Sequence, residues 1–386
     1  MRLTDSNKAT LFVSGVAVSL LLSTNVHAAG KNGVIAYPCR TAGLHQDICL
    51  IDPNKPGATP SDPITSGGNN GLPSWSPDGK ILAYTNALNN GMTNIMVMKV
   101  KGVDKSGLPI FDAPQPISPG IAPAWSPDGK EIAFSRPSPQ PPNALEIWSM
   151  RPDGTGQRQL SEQVTEGLEL GKRLVTWAPG GQFIAYTLNE FAPGHPPPGP
   201  PVHNSVWVTK LVGNKESHEL TVGYCNFYNP GAPPEPCFDN LDADGNVIES
   251  QPVLDAGAAS WSPTGNDIIF WSGLEGFAGQ IWKIAKNGKH REQLTLPAKP
   301  AAGQPYPNND DPVWAPDGKK IVFSTNRQGE EIPPPPANCT IQIGPATQLI
   351  CALMFVMNAD GSDQHFIAWN GPGPSFPGNA AWQPVP

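Results

Sequence analysis

The stretch Asn240–Glu249 carries oxygen-bearing side chains at a spacing that could hold a calcium ion. Asn240, Asp242 and Asp244 alternate along the chain, and Gly245 follows them. This order matches the first half of a calcium-binding loop. The position at which such a loop places a bidentate Glu is Gln251 in this chain. The same residues also suit a plain turn, so calcium ligation and a turn are both open readings.

Histidines and charged residues in the predicted loops offer a second kind of site. His45, His195 and His203 fall in such loops, but histidines bind a metal only when several converge tightly. We therefore expect them to be solvated rather than metal-bound. The residues we predict to contact a partner on the long-loop face, defined below, are His195, His203, Glu190, Asp239, Tyr306 and Arg327.

The six cysteines lie in three close pairs along the chain: Cys39 and Cys49, Cys225 and Cys237, and Cys339 and Cys351. An even number of cysteines in an exported chain predicts disulfides, although the sequence does not choose among the possible pairings. We favour the three local pairs, because each lies in or beside one predicted loop. The chain has no C-x-x-C motif, which makes zinc binding by these cysteines the weaker reading.

Motifs of known catalytic chemistry are missing from the sequence. It contains no G-x-S-x-G, no P-loop, no G-x-G-x-x-G and no H-E-x-x-H. The segment Gly373–Pro377 comes nearest to a nucleophile elbow but lacks the second glycine. We therefore predict that the protein is not an enzyme and carries no cofactor other than the calcium considered above. A site assembled from scattered loop residues would leave no motif, so an enzyme is kept as the alternative.

Composition limits the class of protein further. The chain has 386 residues, of which 47 are Pro and 40 are Gly, and charged residues make up 15%. This composition is typical of many short strands joined by turns. The net charge of -8 argues against nucleic-acid binding, which needs a basic surface.

The first 28 residues resemble an export signal. Arg2 and Lys8 precede the apolar run Ala9–Leu22, which is shorter than a transmembrane helix, and Val26 and Ala28 offer small residues for cleavage. We predict that residues 1–28 are removed and that the mature chain, 29–386, has no transmembrane segment and lies in the periplasm or outside the cell. An uncleaved anchor helix is the alternative.

A repeated phrase indicates the elements that position these residues. Trp-Ser-Pro-Asp-Gly-Lys occurs at Trp75 and Trp125, and looser copies occur at Trp177, Trp261 and Trp314. Each copy joins a short strand to an apolar strand through a tight Pro-x-Gly hairpin. Two further strands follow in each unit. Spacings near 50 residues, lengthened by insertions, are typical of propeller blades.

The chain ends predict how the blades close. The mature chain opens on Gly33–Tyr37, a second strand without a first, and Trp382 near its end lies in a first strand without a second. Pairing these two strands would close a ring and remove its exposed sheet edges. We therefore predict an all-β, six-bladed propeller of four-stranded antiparallel blades over residues 29–386.

The repeats, together with Ile147–Leu160 (IWSMRPDGTGQRQL), resemble the propeller of the TolB-type periplasmic family. The resemblance covers nearly the whole mature chain and implies a propeller that binds another envelope or periplasmic protein. TolB proteins carry an α/β domain before the propeller, and we expect that domain to be absent here.

The repeats also predict which face binds a partner. The Trp-x-Pro-x-Gly turns lie on one face, so the insertions fall on the opposite one, which we call the long-loop face. They are Arg136–Ala144, Asn189–Asn204, Gly223–Gly257, Pro297–Pro312 and Asn326–Ile350. We predict a protein-binding or scaffold module, in the cell envelope or as an accessory subunit of a periplasmic complex. The alternative is a lyase or hydrolase acting on a polysaccharide or other polymer.

Overall fold

The computed structural model describes residues 30–40, 45–55, 57–88, 90–138, 145–161, 169–191, 203–213, 216–221, 255–273, 279–295, 307–327, 332–334, 339–343, 346–349, 351–370 and 379–385. These residues form β-strands and turns, with no α-helix among them, which confirms the all-β prediction. The strands are β1 (Lys31–Arg40), β2 (Gln46–Ile51), β3 (Asn69–Trp75), β4 (Ile81–Ala87), β5 (Thr93–Val103), β6 (Pro109–Phe111), β7 (Gln115–Pro119), β8 (Ile121–Trp125), β9 (Ile132–Pro137), β10 (Leu145–Met150), β11 (Arg158–Gln159), β12 (Glu169–Trp177), β13 (Phe183–Phe191), β14 (His203–Lys210), β15 (Glu216–Glu219), β16 (Asp255–Trp261), β17 (Asp267–Gly273), β18 (Gln280–Ala285), β19 (Glu292–Gln293), β20 (Asn309–Trp314), β21 (Lys320–Thr325), β22 (Thr340–Ile343), β23 (Ala346–Leu349), β24 (Ala352–Asn358), β25 (His365–Asn370) and β26 (Ala381–Val385).

Antiparallel pairing collects these strands into six groups within the described residues, apart from β22 and β23, which pair with each other as a separate hairpin. Group 1 has the order β26-β1-β2, and group 2 contains β3-β4-β5 with β6 and β7 both paired to β5. Groups 3, 4, 5 and 6 are β8-β9-β10-β11, β12-β13-β14-β15, β16-β17-β18-β19 and β20-β21-β24-β25. A single parallel bridge between Leu145 and Gly171 joins groups 3 and 4. The last strand, β26, pairs with β1, the first, so the two ends of the described chain meet in group 1.

The repeated Trp-x-Pro-x-Gly phrase forms the hairpin between the first two strands of a group, as predicted. In the first copy, Ser76 Oγ donates to Asp78 Oδ1 at 2.6 Å and accepts from the Ile81 amide at 2.9 Å. Gly79 has φ +67° and closes the turn, donating its amide to the Ser76 carbonyl. An L side chain rarely adopts that φ, so glycine is the residue that fits. The hydrogen bonds recur in the second copy, where Ser126 takes the place of Ser76.

The tryptophan of each copy packs its group against the preceding one. Trp75 lies in an apolar cluster with Ile48 and Leu50 of group 1, and Trp125 lies in one with Ala83 and Ile95 of group 2. Trp177, Trp261 and Trp314 continue the pattern through groups 4, 5 and 6. Trp382 packs with residues of both group 6 and group 1. Each interface between consecutive groups is therefore an apolar core built on one repeat tryptophan.

Buried polar contacts join neighbouring groups beside these cores. Glu146 of β10 is fully buried and accepts from Lys172 Nζ of β12 at 2.7 Å. Gln280 of β18 likewise accepts from Asn309 Nδ2 of β20 at 2.9 Å. Such a group must keep its partner, because a buried polar atom without a hydrogen bond is costly. These contacts fix how each inner strand sits against the group before it.

Two of the three predicted disulfides lie within the described residues and are present. Cys39 of β1 bonds to Cys49 of β2, and Cys339 bonds to Cys351. Cys225 and Cys237 lie outside the described residues. The local pairing is thus confirmed for two pairs, and the third stays a prediction.

The predicted insertions begin and end differently from what the sequence suggested. Arg136 lies in β9, Asn189 in β13, Asn204 in β14 and Gly257 in β16. The strands run further than predicted because their ends are paired in register, as Asn189 with Asn204 shows. The polar residues at these strand ends therefore lie on the paired scaffold.

The terminal strand provides a test of the packing. Trp382 is 6% exposed and packs with Ile35 and Tyr37, so Trp382→Ala should lower the free energy of unfolding by about 3 to 5 kcal/mol. Val385 lies in the same strand but is 36% exposed, and Val385→Ala should cost less than about 1 kcal/mol. Denaturant unfolding of the two variants measures both. Equal small losses would show that β26 does not hold group 6 against group 1.

Candidate functional site

The strands that end at the repeat tryptophans, which we call the inner strands, share a bulge. It turns side chains toward the space where residues of all six groups meet, which we call the axis. In β3, β8, β12, β16 and β20 the register shifts just before the repeat tryptophan. The residue three positions before that tryptophan has positive φ in each strand: Leu72, Ala122, Leu174, Ala258 and Asp311, with φ between 49° and 54°. Bulges bend a strand and redirect its side chains. Residues three or four positions before these five tryptophans thereby line one cavity.

Side-chain hydroxyls of the preceding group hold two of these bulges. The Ala122 amide donates to Thr85 Oγ1 at 2.9 Å, and the Ala258 amide donates to Thr187 Oγ1 at 3.0 Å. Thr85 and Thr187 occupy corresponding places in β4 and β13. The bulge is thus a repeated part of the scaffold rather than a local irregularity.

Three cavities follow one another along the axis. A cavity of about 240 Å³ is lined by inner strands of all six groups, including Trp75, Trp314 and Trp382. Toward the Trp-x-Pro-x-Gly turns lies a funnel of about 930 Å³ walled by tryptophans and prolines. Toward the long-loop face lies a cavity of about 290 Å³, which we call the axial site. Only the axial site is lined by arginine, aspartate and asparagine side chains together, among the three.

The axial site has an apolar floor and a polar wall. Leu72, Ala122 and Leu174 pack together at the floor. The rest of the lining comes from strands or strand ends of groups 3, 4, 5 and 6, namely Ile121, Arg173, Thr187, Asn189, Asn204, Gly257, Ala258, Trp271, Asn308, Asp310 and Asp311. A mostly apolar concave site with a few convergent polar groups is typical of ligand binding.

Arg173 supplies the positive charge. Its side chain is partly buried, and desolvation lowers the pKa of its guanidinium. Its buried Nε has no hydrogen-bond partner among the described residues, and no carboxylate there lies within ion-pair distance of it. A desolvated cation in this state favours an anionic ligand.

Asp310 supplies an acid. It lies in group 6, on the other side of group 5 from Arg173 in group 4. Asn308 Nδ2 donates to Asp310 Oδ2 at 2.8 Å, and Asn308 Oδ1 accepts from the Gly279 amide at 2.6 Å. Asn308 is thereby fixed and fixes the carboxyl group in turn. Burial raises the pKa of Asp310 to about 7, so the group changes protonation near neutral pH.

Asp311 is held differently from its neighbour. It is 5% exposed, and the Asn379 amide donates to its Oδ1 at 2.6 Å and its Oδ2 at 3.1 Å. Asn379 occupies the sixth copy of the same repeat position. The contact therefore bridges the inner strands of groups 6 and 1.

The sequence-predicted site residues lie around this cavity or outside the described chain. Glu190 and His203 pair across β13 and β14, one step beyond the Asn189–Asn204 pair that lines the axial site. Arg327 instead donates to Asn309 Oδ1 at 2.8 Å and stacks 4.7 Å from the Phe355 ring centroid, as a packing residue would. Four further predicted sets lie outside the described residues: His195, Asp239, Tyr306, and the calcium candidates Asn240, Asp242 and Asp244.

The part of the chain that the structure describes contains no candidate metal site. No group of three or more His, Cys, Asp or Glu side chains there could hold an ion. That part also contains no helix with the length and apolarity needed to cross a bilayer.

Sequence reasoning missed Arg173 and Asp310, although a signal was present. Four residues before the repeat tryptophan the copies read Gly71, Ile121, Arg173, Gly257 and Asp310. Two charges thus interrupt an otherwise uncharged position. Aligning the copies on tryptophan would have shown this without a structure.

Comparison with solved structures supports the fold. TolB from Acinetobacter baumannii superposes with a TM-score of 0.55 at 17% identity, covering 91% of this chain and 67% of that one. The chain has the TolB-like propeller fold. Its fold and the two disulfides fit an exported protein. No protein-family model matches the chain, and no curated protein matches it.

Enzymes also appear among the structural neighbours. A periplasmic gluconolactonase from Pseudomonas aeruginosa has a TM-score of 0.45 at 12% identity, covering 92% of this chain and 99% of that one. An oligogalacturonate lyase from Vibrio parahaemolyticus has a TM-score of 0.39 at 12% identity, covering 88% and 86%. The prediction that the protein is not an enzyme is therefore wrong as drawn. Missing motifs do not exclude catalysis in this architecture, and identities this low assign no activity.

The raised pKa of Asp310 predicts a pH dependence of stability. Between about pH 4 and 7 the folded protein keeps a proton that the unfolded chain loses, so stability falls as pH rises through that window. Asp310→Asn should therefore stabilise the protein at pH 8 and leave stability at pH 4 nearly unchanged. A shift of about three pK units corresponds to at most about 4 kcal/mol of stability, and solvent that reaches Asp310 through the cavity reduces this effect.

Asp104 gives the contrasting control. It is exposed, and the Ser106 hydroxyl is the main cause of its lowered pKa. Asp104→Asn should lose stability at neutral pH and not gain it. Thermal melts of both variants from pH 4 to 8 measure the effect. If Asp310→Asn does not gain stability at pH 8, the raised pKa assigned to Asp310 is refuted.

Proposed function

We propose that this protein is an exported propeller that binds a partner protein of the cell envelope through the axial site at its long-loop face. The observation that carries the proposal is the pair of charged residues, Arg173 and Asp310, that face one cavity at a repeat position where the other copies have Gly or Ile. Loops and strand ends on a rigid scaffold are common places for binding residues. The signal at residues 1–28 and the periplasmic location belong to the same proposal.

We also propose that the six strand groups are six blades of one closed ring. Support comes from the pairing of β1 with β26 and from the apolar cluster that joins group 6 to group 1. A closed ring packs every blade between two neighbours and leaves only short outer sheet edges. The loss of stability expected for Trp382→Ala tests this closure as well.

The axial site suits binding because its polar groups are held before any ligand arrives. Asn308 is fixed by the Gly279 amide, and Asn189 donates to Asn204 across β13 and β14. Side chains already ordered lose little entropy when a partner docks. The apolar floor of Leu72, Ala122 and Leu174 contributes contact area below them.

Site-specific cross-linking tests the proposed face. A photo-reactive phenylalanine analogue at Asn189 should cross-link a defined protein band in intact cells of the source organism, because Asn189 lines the axial site. The same residue at Lys130, which is exposed on a Trp-x-Pro-x-Gly turn, is the matched control. A band from Lys130 but none from Asn189 would place the partner on the opposite face and overturn the proposal.

A second candidate function, an enzyme acting on a polysaccharide or other polymer, is favoured by Asp310. A carboxyl group with a pKa near 7 inside a cavity can take or give a proton at neutral pH. This function predicts that the purified protein cleaves a polymer from a panel of polysaccharides and that Asp310→Asn loses this turnover by at least about 100-fold. A parent protein without turnover, or a variant that keeps it, would remove the candidate.

A further inference from the structure

We infer that the axial site binds a carboxylate group, which Arg173 receives in the cavity that Gly257 and Ala258 leave free of bulky side chains. The inference rests on the proposed function and names the chemistry of its site. The carboxylate could be the end of a partner's chain or part of a small acid, and the test below separates these sources.

Arg173 is the first support, because no carboxylate among the described residues lies within ion-pair distance of it. Its Nε is buried without a hydrogen-bond partner among the described residues. Arginine presents a planar fork of donors that matches the two oxygens of a carboxylate. A bound carboxylate would supply the hydrogen bonds and the charge that this side chain lacks.

Group 5 provides the space. At the two positions where group 4 has Arg173 and Leu174, group 5 has Gly257 and Ala258. A Cβ on Gly257 would lie 3.0 Å from Trp271 Nε1 and 3.3 Å from Thr187 Cγ2, so glycine lets the indole lie close to the strand. The indole then forms one wall of the cavity.

The acids in the cavity are compatible with a bound anion. Asp311 accepts hydrogen bonds from the Asn379 amide at both of its carboxylate oxygens. Asp310 has its Oδ2 engaged by Asn308, and at pH 6 it is mostly protonated. A protonated carboxyl group donates a hydrogen bond, so at that pH Asp310 adds a donor to the site rather than a negative charge.

The size of the site fits a small group rather than a whole domain. A volume of about 290 Å³ accommodates a chain terminus or one monosaccharide. Recognition of the carboxylate therefore anchors a larger partner at one point, or binds a small acid entirely.

Calorimetry with two matched probe pairs tests the inference on the full chain at pH 6. The peptide pair is acetyl-Ala-Ala-Ala with a free carboxylate and the same peptide as its C-terminal amide. The sugar pair is galacturonate and galactose. We expect one acid to bind at least about tenfold more tightly than its uncharged partner, since charge-assisted hydrogen bonds are lost in the latter.

Two variants locate the binding. Arg173→Gln should weaken the binding acid at least about tenfold. Ala258→Leu should block the site while folding normally, because Leu72 and Leu174 occupy the same repeat position at nearly the same φ. Arg136→Gln is the matched control: Arg136 is also half-buried but stacks on Trp148 outside the cavity, and it should leave binding unchanged.

Three results would overturn the inference: neither acid binds, acid and neutral probes bind equally, or Arg173→Gln behaves like Arg136→Gln. Binding of the peptide acid identifies a chain terminus as the source, and binding of galacturonate identifies a small acid. Cross-linking from Asn189 that persists in Arg173→Gln, together with failed calorimetry, would leave the proposed protein-binding function standing while removing the carboxylate. Successful calorimetry without any cross-link would support the carboxylate site and remove the proposed protein-binding function.

Discussion

The bulge three residues before each repeat tryptophan is the constraint on which the site depends. It forces Leu72, Leu174 and Asp311, among others, into positive φ, which costs a non-glycine residue about 1 kcal/mol or more. The surrounding scaffold maintains it, as the hydrogen bonds from Ala122 and Ala258 to threonines of the preceding group show. Without the bulge, strict alternation along each inner strand would point these residues elsewhere.

Packing between groups makes this arrangement tolerant of unusual residues at the axis. Each group buries its tryptophan against the preceding group, and buried polar pairs such as Lys172 with Glu146 fix the inner strands beside it. The stabilising contacts therefore lie away from the axis. Positions at the axis can then carry a desolvated Arg173 or Asp310, whose cost the interfaces offset.

Local features of the fold were predictable from the sequence, whereas the site was not. The Pro-x-Gly hairpins follow from short-range geometry. The disulfides Cys39–Cys49 and Cys339–Cys351 join cysteines close in the chain, which favours local pairing without excluding other pairings. The axial site joins Arg173 and Asp310 from strands of different groups, and only the bulge turns them to one space. Motif search failed for the same reason, and it led to the incorrect exclusion of an enzyme. The histidines in the predicted loops were considered as site residues, whereas the charged residues Arg173 and Asp310 within the strands were not.

At its long-loop end, the axis forms a desolvated, charged site, and the other inferences about function depend on this environment. The carbon-13 signal of the Asp310 carboxyl group, assigned by its loss in Asp310→Asn, measures this environment directly by titration. We expect the titration of Asp310 to have a midpoint near pH 7, because the carboxyl group is removed from water. A midpoint near about 4, the value of a solvated aspartate, would contradict it.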